Sequence, residues 1–192
     1  MLAVQRRRLT QQGYRTLSFS YPSVRASLDE IASRLGALLR SLEAAPVHLI
    51  GHSLGGIVAL HLLGREPGLN VGRAVVLGAP CAGSTAATQL ARSRTGRALI
   101  GKAITEWKPA IGVAAAERFE IGSIAGTLRL GMGRLLVPIP SPNDGVVCLH
   151  ETQLPGFRDH LAIAVSHSGM LISTKVTQQI CHFLAHGRFA HA

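Results

Sequence analysis

A serine hydroxyl is a weak nucleophile. To attack a carbonyl it needs a base to take its proton and an acid to orient that base. Ser53 is the residue of this chain best placed for such work. It lies in the segment VHLIGHSLGG, Val47 to Gly56, where an apolar run enters a Gly-x-Ser-x-Gly turn and continues into a helical pattern. A serine packs poorly at the end of a buried strand, so packing does not account for it. Between a strand and a helix, Gly-x-Ser-x-Gly is a nucleophile elbow: the sharp turn strains the serine backbone and lifts its hydroxyl out of the sheet. Gly51 and Gly55 are expected because a Cβ would collide where strand and helix approach. The helix start offers free N–H groups and partial positive charge where an oxyanion would form, and the Leu54 N–H is the expected donor.

The acid and the base follow by elimination. The chain has three Asp. Asp29 precedes the serine and sits in the first turn of an amphipathic helix, where it suits the helix dipole. Asp159 begins the last strand. Asp144, in the turn Pro142-Asn143-Asp144-Gly145-Val146-Val147, lies beyond a strand end and between Ser53 and a suitable histidine. Of nine His, His167 directly follows the last strand, in Ser166-His167-Ser168-Gly169. His48 is inside a strand, His52 is locked in the elbow and His61 is in the next helix. His182, His186 and His191 lie in or after the final helix. His150 and His160 are the competitors for the base. The order Ser53, Asp144, His167 is nucleophile, acid, base.

These residues need a frame. Leu2 to Gln12 reads as a helix with Gly13 as its C-cap. Arg15 to Tyr21 alternates and carries aromatics, which predicts a strand stopped by Pro22. Val24, Leu28, Ile31, Leu35, Leu38, Leu39 and Leu42 recur at helical spacing, with Ser27 and Glu30 at capping-box distance. Strands are predicted at Val47 to Ile50, Arg73 to Leu77, Phe119 to Ala125 and His160 to Val165, and helices at Leu54 to Leu63 and Leu171 to His186. Alternating strands and helices predict an α/β fold: a parallel sheet, helices on both faces, and ligands beyond the carboxyl ends of the strands. At 192 residues the chain is one domain, 1–192.

The formal net charge is +10. Apart from Arg6-Arg7-Arg8 the basic residues are scattered, which does not suit a nucleic-acid arm. A solvated basic surface is the plain reading; long-range attraction to an anionic membrane surface is the other. Cys81, Cys148 and Cys181 are far apart and match neither a disulfide framework nor a zinc site, so no metal is expected. No stretch has transmembrane length, and the residues after the arginine run are too polar for a signal sequence. As written, the chain is expected to be cytoplasmic.

With these residues in hand, the chain resembles the α/β-hydrolase superfamily, and within it the bacterial lipase and carboxylesterase-like branch that includes GPI-inositol-deacylase-like proteins. VHLIGHSLGG, RAVVLGAP, PNDGVV and SHSGML carry the resemblance. It implies an α/β-hydrolase fold and hydrolysis of a small-molecule or lipid ester through an acyl-serine, with no cofactor. Acyl transfer or thioester hydrolysis by the same triad, and an impaired remnant, are the alternatives. In the family a strand and a loop, often with His-Gly, precede the helix matching Leu2 to Gln12 and supply a second oxyanion donor. That strand lies between those matching Arg15 to Tyr21 and Val47 to Ile50. Here the chain begins inside the helix and resembles a member shortened at its N-terminus. Cys81 to Arg118 stands where the family inserts a lid. Leu90, Leu99, Ile100, Ile104 and Trp107 are apolar there, and Arg92, Arg94, Arg97, Lys102 and Lys108 basic. A mobile cover and an ordinary packed helix pair are equal expectations.

Overall fold

The computed structural model describes residues 3–22, 26–42, 46–91, 102–130 and 140–191. In chain order the elements are α1 (Ala3–Gln11), α2 (Leu28–Ser41), β1 (Val47–His52), α3 (Leu54–Arg65), β2 (Val71–Leu77), α4 (Thr85–Leu90), α5 (Lys102–Glu106), α6 (Pro109–Ala116), β3 (Glu120–Gly126), β4 (Asp159–Ile163) and α7 (Thr174–His186), with 3₁₀ turns at Leu149–Thr152 and Gly169–Leu171. The described strands form one parallel sheet in the order β1-β2-β3-β4.

Side-chain alternation splits the core into two layers. Along β2, Ala74 and Val76 face one layer and Val75 and Leu77 the other, as the two-residue period of a strand requires. The first layer is covered by α2, α3 and α6, the second by α1 and α7. In α3, Ile57, Val58, Leu60, Leu62 and Leu63 are all buried. A helix apolar on nearly every side is a central one, and each such side chain contributes roughly 1.5–3 kcal/mol by leaving water.

The caps hold where they were expected. Ser27 and Glu30 form a full capping box at the start of α2, and Gly13, at φ 90°, follows the end of α1. Gln5, on the buried side of α1, donates to the Met170 carbonyl at 2.6 Å and accepts from Thr177. This pins α1 to α7 and the turn before it.

The predicted strand at Arg15 to Tyr21 is not a strand. Its residues run without a ladder partner. β1 is bonded along one edge to β2, and no described strand lies along its other edge. Without a neighbour to take its N–H and C=O groups, an alternating sequence cannot be a strand. Side chains hold it instead. Phe19 and Tyr21 pack on the core, Thr16 bonds Thr10 at 3.1 Å, and Ser18 accepts from Arg6 at 3.1 Å.

Of the segment 81–118, residues 92–101 lie outside the described residues, and with them Arg92, Arg94, Arg97, Leu99 and Ile100. Of the rest, Cys81, Ala103, Trp107 and Ala115 are buried in the core, while α4 buries no residue. Trp107 is buried and its Nε1–H donates to the Cys81 carbonyl at 2.8 Å. Gly64 of α3 lies so close to α6 that a Cβ there would come within 2.2 Å of the Ile111 carbonyl oxygen. No described helix is long and apolar enough to cross a membrane.

Candidate active site

Ser53 sits in the turn between β1 and α3 with φ 53° and ψ −123°. It is the only described non-glycine residue with positive φ, a conformation that costs on the order of 1–3 kcal/mol and persists where the surroundings impose it. The imposition is visible. The Ser53 N–H donates to the Leu77 carbonyl at 2.9 Å, and its own carbonyl accepts from Gly56 and Ile57. A Cβ on Gly51 would lie 2.5 Å from the Gly55 carbonyl oxygen and the Gly56 nitrogen, so glycine is required there. Gly55 needs a correction: a Cβ would meet nothing nearer than the Tyr21 hydroxyl at 3.7 Å. The close approach belongs to Gly56, where a Cβ would lie 2.7 Å from the Ala79 methyl. The serine hydroxyl makes no cap hydrogen bond. Among the described residues the Leu54 and Gly55 N–H groups find no acceptor, which leaves the first turn of α3 open to an anion.

Asp144 and His167 meet across the carboxyl ends of the strands. Asp144 is buried; its Oδ1 accepts from the Val146 and Val147 N–H groups at 2.9 and 2.8 Å. Its Oδ2 accepts from His167 Nδ1 at 2.7 Å. The His167 N–H donates to the Asp144 carbonyl at 2.9 Å, so backbone and side chain are both tied. A proton held on Nδ1 by a carboxylate leaves Nε2 of the neutral ring with a lone pair, the form a general base needs. His167 Nε2 and the Ser53 hydroxyl are not bonded to each other. Such bonds are commonly long before substrate arrives. What joins their neighbourhoods is His52, whose ring centroid lies 4.5 Å from that of His167 and whose Nε2 lies 3.0 Å from the His167 carbonyl. Burial, with the nearby His167 charge second, lowers the His52 pKa to about 4. A neutral ring bonded to a carbonyl through Nε2 carries its proton there.

The other two aspartates are occupied elsewhere. Asp29 bonds His61 at 2.6 Å. Asp159 opens β4, at the amino end of the sheet, and accepts from the Phe189 N–H and His191. The competing base His160 is bonded to Thr152 at 2.9 Å, and His150 is exposed on a 3₁₀ turn. Two glycines of the site were not among the predicted site residues: Gly78, which the sequence marks only as the end of a strand, and Gly126. A Cβ on Gly78 would come within 3.0 Å of Asp144 Oδ2 and 3.2 Å of His167 Nδ1; one on Gly126 would meet Asp144 Cβ at 2.7 Å. Each closes or follows a strand, and that position was the available signal. Among the described residues one set, Cys148, His150 and Glu151, groups donor atoms close enough for a metal ion. Glu151 already accepts from the Thr85 and Cys148 N–H groups at 2.5 and 2.9 Å. Burial and then Glu151 push the Cys148 thiol up to about 11. Glu151 caps the 3₁₀ turn, with both carboxylate oxygens accepting backbone N–H groups.

The sequence model of the alpha/beta hydrolase family matches residues 2–138. The chain belongs to the alpha/beta hydrolase family. The match ends before Asp144 and His167, so for those two the geometry speaks alone. This hydrolase fold is similar to the mature Bacillus licheniformis lipase BlEst2, with a TM-score of 0.66 at 19% identity over 86% of this chain and 75% of that one. It is similar to a Paleococcus ferrophilus monoacylglycerol lipase, with a TM-score of 0.63 at 12% identity over 96% and 88%. With a metagenomic carboxyl esterase, MGS0156, the TM-score is 0.60 at 19% identity over 79% and 54%. In sequence, 42 residues are 45% identical to the Pantoea ananatis protein named carbamate hydrolase RutD; they are 22% of this chain and span 15% of that protein.

Proposed function

We propose that this alpha/beta hydrolase cleaves carboxylic esters through an acyl-serine intermediate. The observation that carries the reading is a buried carboxylate–histidine pair at the carboxyl ends of β3 and β4, in ring contact with the residue beside a strained, unbonded serine. His167 Nε2 takes the Ser53 proton as Oγ attacks the ester carbonyl. The oxyanion that forms accepts from the Leu54 N–H. As the tetrahedral species collapses, the carbon–oxygen bond to the alcohol breaks and His167 returns the proton to the leaving oxygen. Water then attacks the acyl-serine with His167 as base, releasing the acid and restoring Ser53. Asp144 keeps the imidazole in the right tautomer throughout.

The surroundings favour an apolar acyl group, and a lipid ester presented at an anionic membrane surface is the extended reading. Leu128 is 41% and Leu130 62% exposed, flanking Arg129. This stretch borders the pair: the Leu128 N–H donates to the Val165 carbonyl, and the Leu130 carbonyl lies 2.9 Å from where a Gly145 Cβ would be.

Labelling with a fluorophosphonate probe tests the nucleophile. The wild-type chain is expected to label, and Ser53→Ala to lose the label with an unchanged circular dichroism spectrum. Equal labelling of the variant would place the nucleophile elsewhere. Nitrophenyl esters of rising chain length then give the acyl preference.

A further inference from the structure

Ser53 follows β1 and His167 follows β4, the opposite edges of the described sheet. Three inter-strand spacings, roughly 14 Å at about 4.8 Å each, separate the strands from which they emerge. Proton transfer demands a placement good to a fraction of an ångström. The bonds that hold the His167 loop tie it to Asp144, to itself, to Leu128 and to α1: His167 N–H to the Asp144 carbonyl, Nδ1 to Oδ2, the Met170 N–H to the Ser166 carbonyl, the Leu128 N–H to the Val165 carbonyl, and the Gln5 amide to the Met170 carbonyl. None of them sets its distance to the serine. Among the described residues, one direct hydrogen bond links the elbow to this loop, and its elbow partner is His52.

We propose that His52 is a positioning residue, which through its Nε2–H bond to the His167 carbonyl and its ring against the His167 imidazole sets the base at its working distance from Ser53. It does not touch the reacting atoms. Being next to Ser53 in the chain, it shares the rigid turn that the Ser53–Leu77 bond and the Gly51 approach impose. The inference rests on the assignment of Ser53 and His167 above. Burial also keeps the His52 ring neutral. When His167 takes the serine proton and becomes imidazolium, its neighbour is therefore a neutral donor and not a second cation, and the bond to its carbonyl persists.

Three variants test this by hydrolysis of p-nitrophenyl butyrate. His52→Met keeps bulk and removes the donor, His52→Ala removes both, and His52→Gln returns an N–H near the place of Nε2. A misplacement of about 1 Å is worth about 10²-fold in rate. Met and Ala are expected to lose about that in kcat, with KM within twofold and with the loss persisting well below each variant's melting temperature. Gln is expected to recover at least a tenfold share of it. A Met variant with wild-type kcat, a loss confined to KM, or a Gln variant no better than Met would each overturn the proposal. The prior reading fails separately: if Ser53→Ala hydrolyses and labels as the wild type does, the nucleophile is wrong and this inference falls with it. If Ser53 is required but the His52 variants turn over normally, only the inference falls.

Discussion

Asp144 carries two jobs on two oxygens. Oδ1 holds its own turn closed through Val146 and Val147, and Oδ2 holds His167. Asparagine can keep the first job and fails at the second. Its amide nitrogen facing Nδ1 would donate, so the ring proton would move to Nε2, where it blocks the base. Asp144→Asn is therefore expected to fold normally and lose about 10⁴-fold in kcat. The double variant with His167→Ala should lose little more than either alone, since residues acting as a unit are non-additive. Steady-state kinetics on one ester decides it. Near-normal turnover in Asp144→Asn, with loss in Asp159→Asn, would move the acid to Asp159.

Elements hold these side chains by approaching closely, and glycines mark the approaches. Gly64 lets α6 lie on α3: an added Cβ would be 2.2 Å from a backbone carbonyl oxygen, which cannot swing aside. Gly64→Ala is expected to destabilise the chain by about 1–3 kcal/mol, as over-packing does. Gly68→Ala is the control, since a Cβ there meets nothing within 4 Å, and it should stay within about 0.5 kcal/mol. Urea unfolding midpoints give both values. The pair also separates the two readings of 81–118. If α6 were a mobile cover, Gly64→Ala would unfold like the control.

For the whole molecule, partly buried neutral histidines make stability depend on pH. His52 titrates near 4 when folded against an ordinary 6.5. Between those values the unfolded chain binds a proton that the native state refuses, so the stabilisation is complete above 6.5 and is lost as pH falls toward 4. At about 1.4 kcal/mol per pH unit, His52 alone accounts for a loss of about 3 kcal/mol across that window. Burial lowers His48 and His160 in the same direction. Urea unfolding at pH 7 and pH 5 is expected to show a clear loss for the wild type and a smaller one for His52→Gln. An equal loss in both would mean that His52 is not the group responsible.

Much of this was legible in the chain itself. Gly-x-Ser-x-Gly at a change from two-residue to helical periodicity specifies its elbow locally, because turn, cap and strain involve neighbours only. The capping box at Ser27 and Glu30, the four strands of the sheet and the Asp144–His167 pairing also followed from local pattern and chain order. The misreadings came from contacts between distant segments. Arg15 to Tyr21 alternates like a strand, but a strand exists only with a partner, and among the described strands β1 is paired with β2 alone. Gly55 looked as necessary as Gly51, yet the crowding falls on Gly56, since Ala79 comes from the far end of β2. His52 read as a residue locked in the elbow. Only the folding of β1 and β4 into one sheet brings its ring against His167, 115 positions along the chain. Residue types and their order determine which chemistry is available; the sheet decides which of those groups share a distance, because proximity between remote segments is set by packing and not by any single segment's pattern.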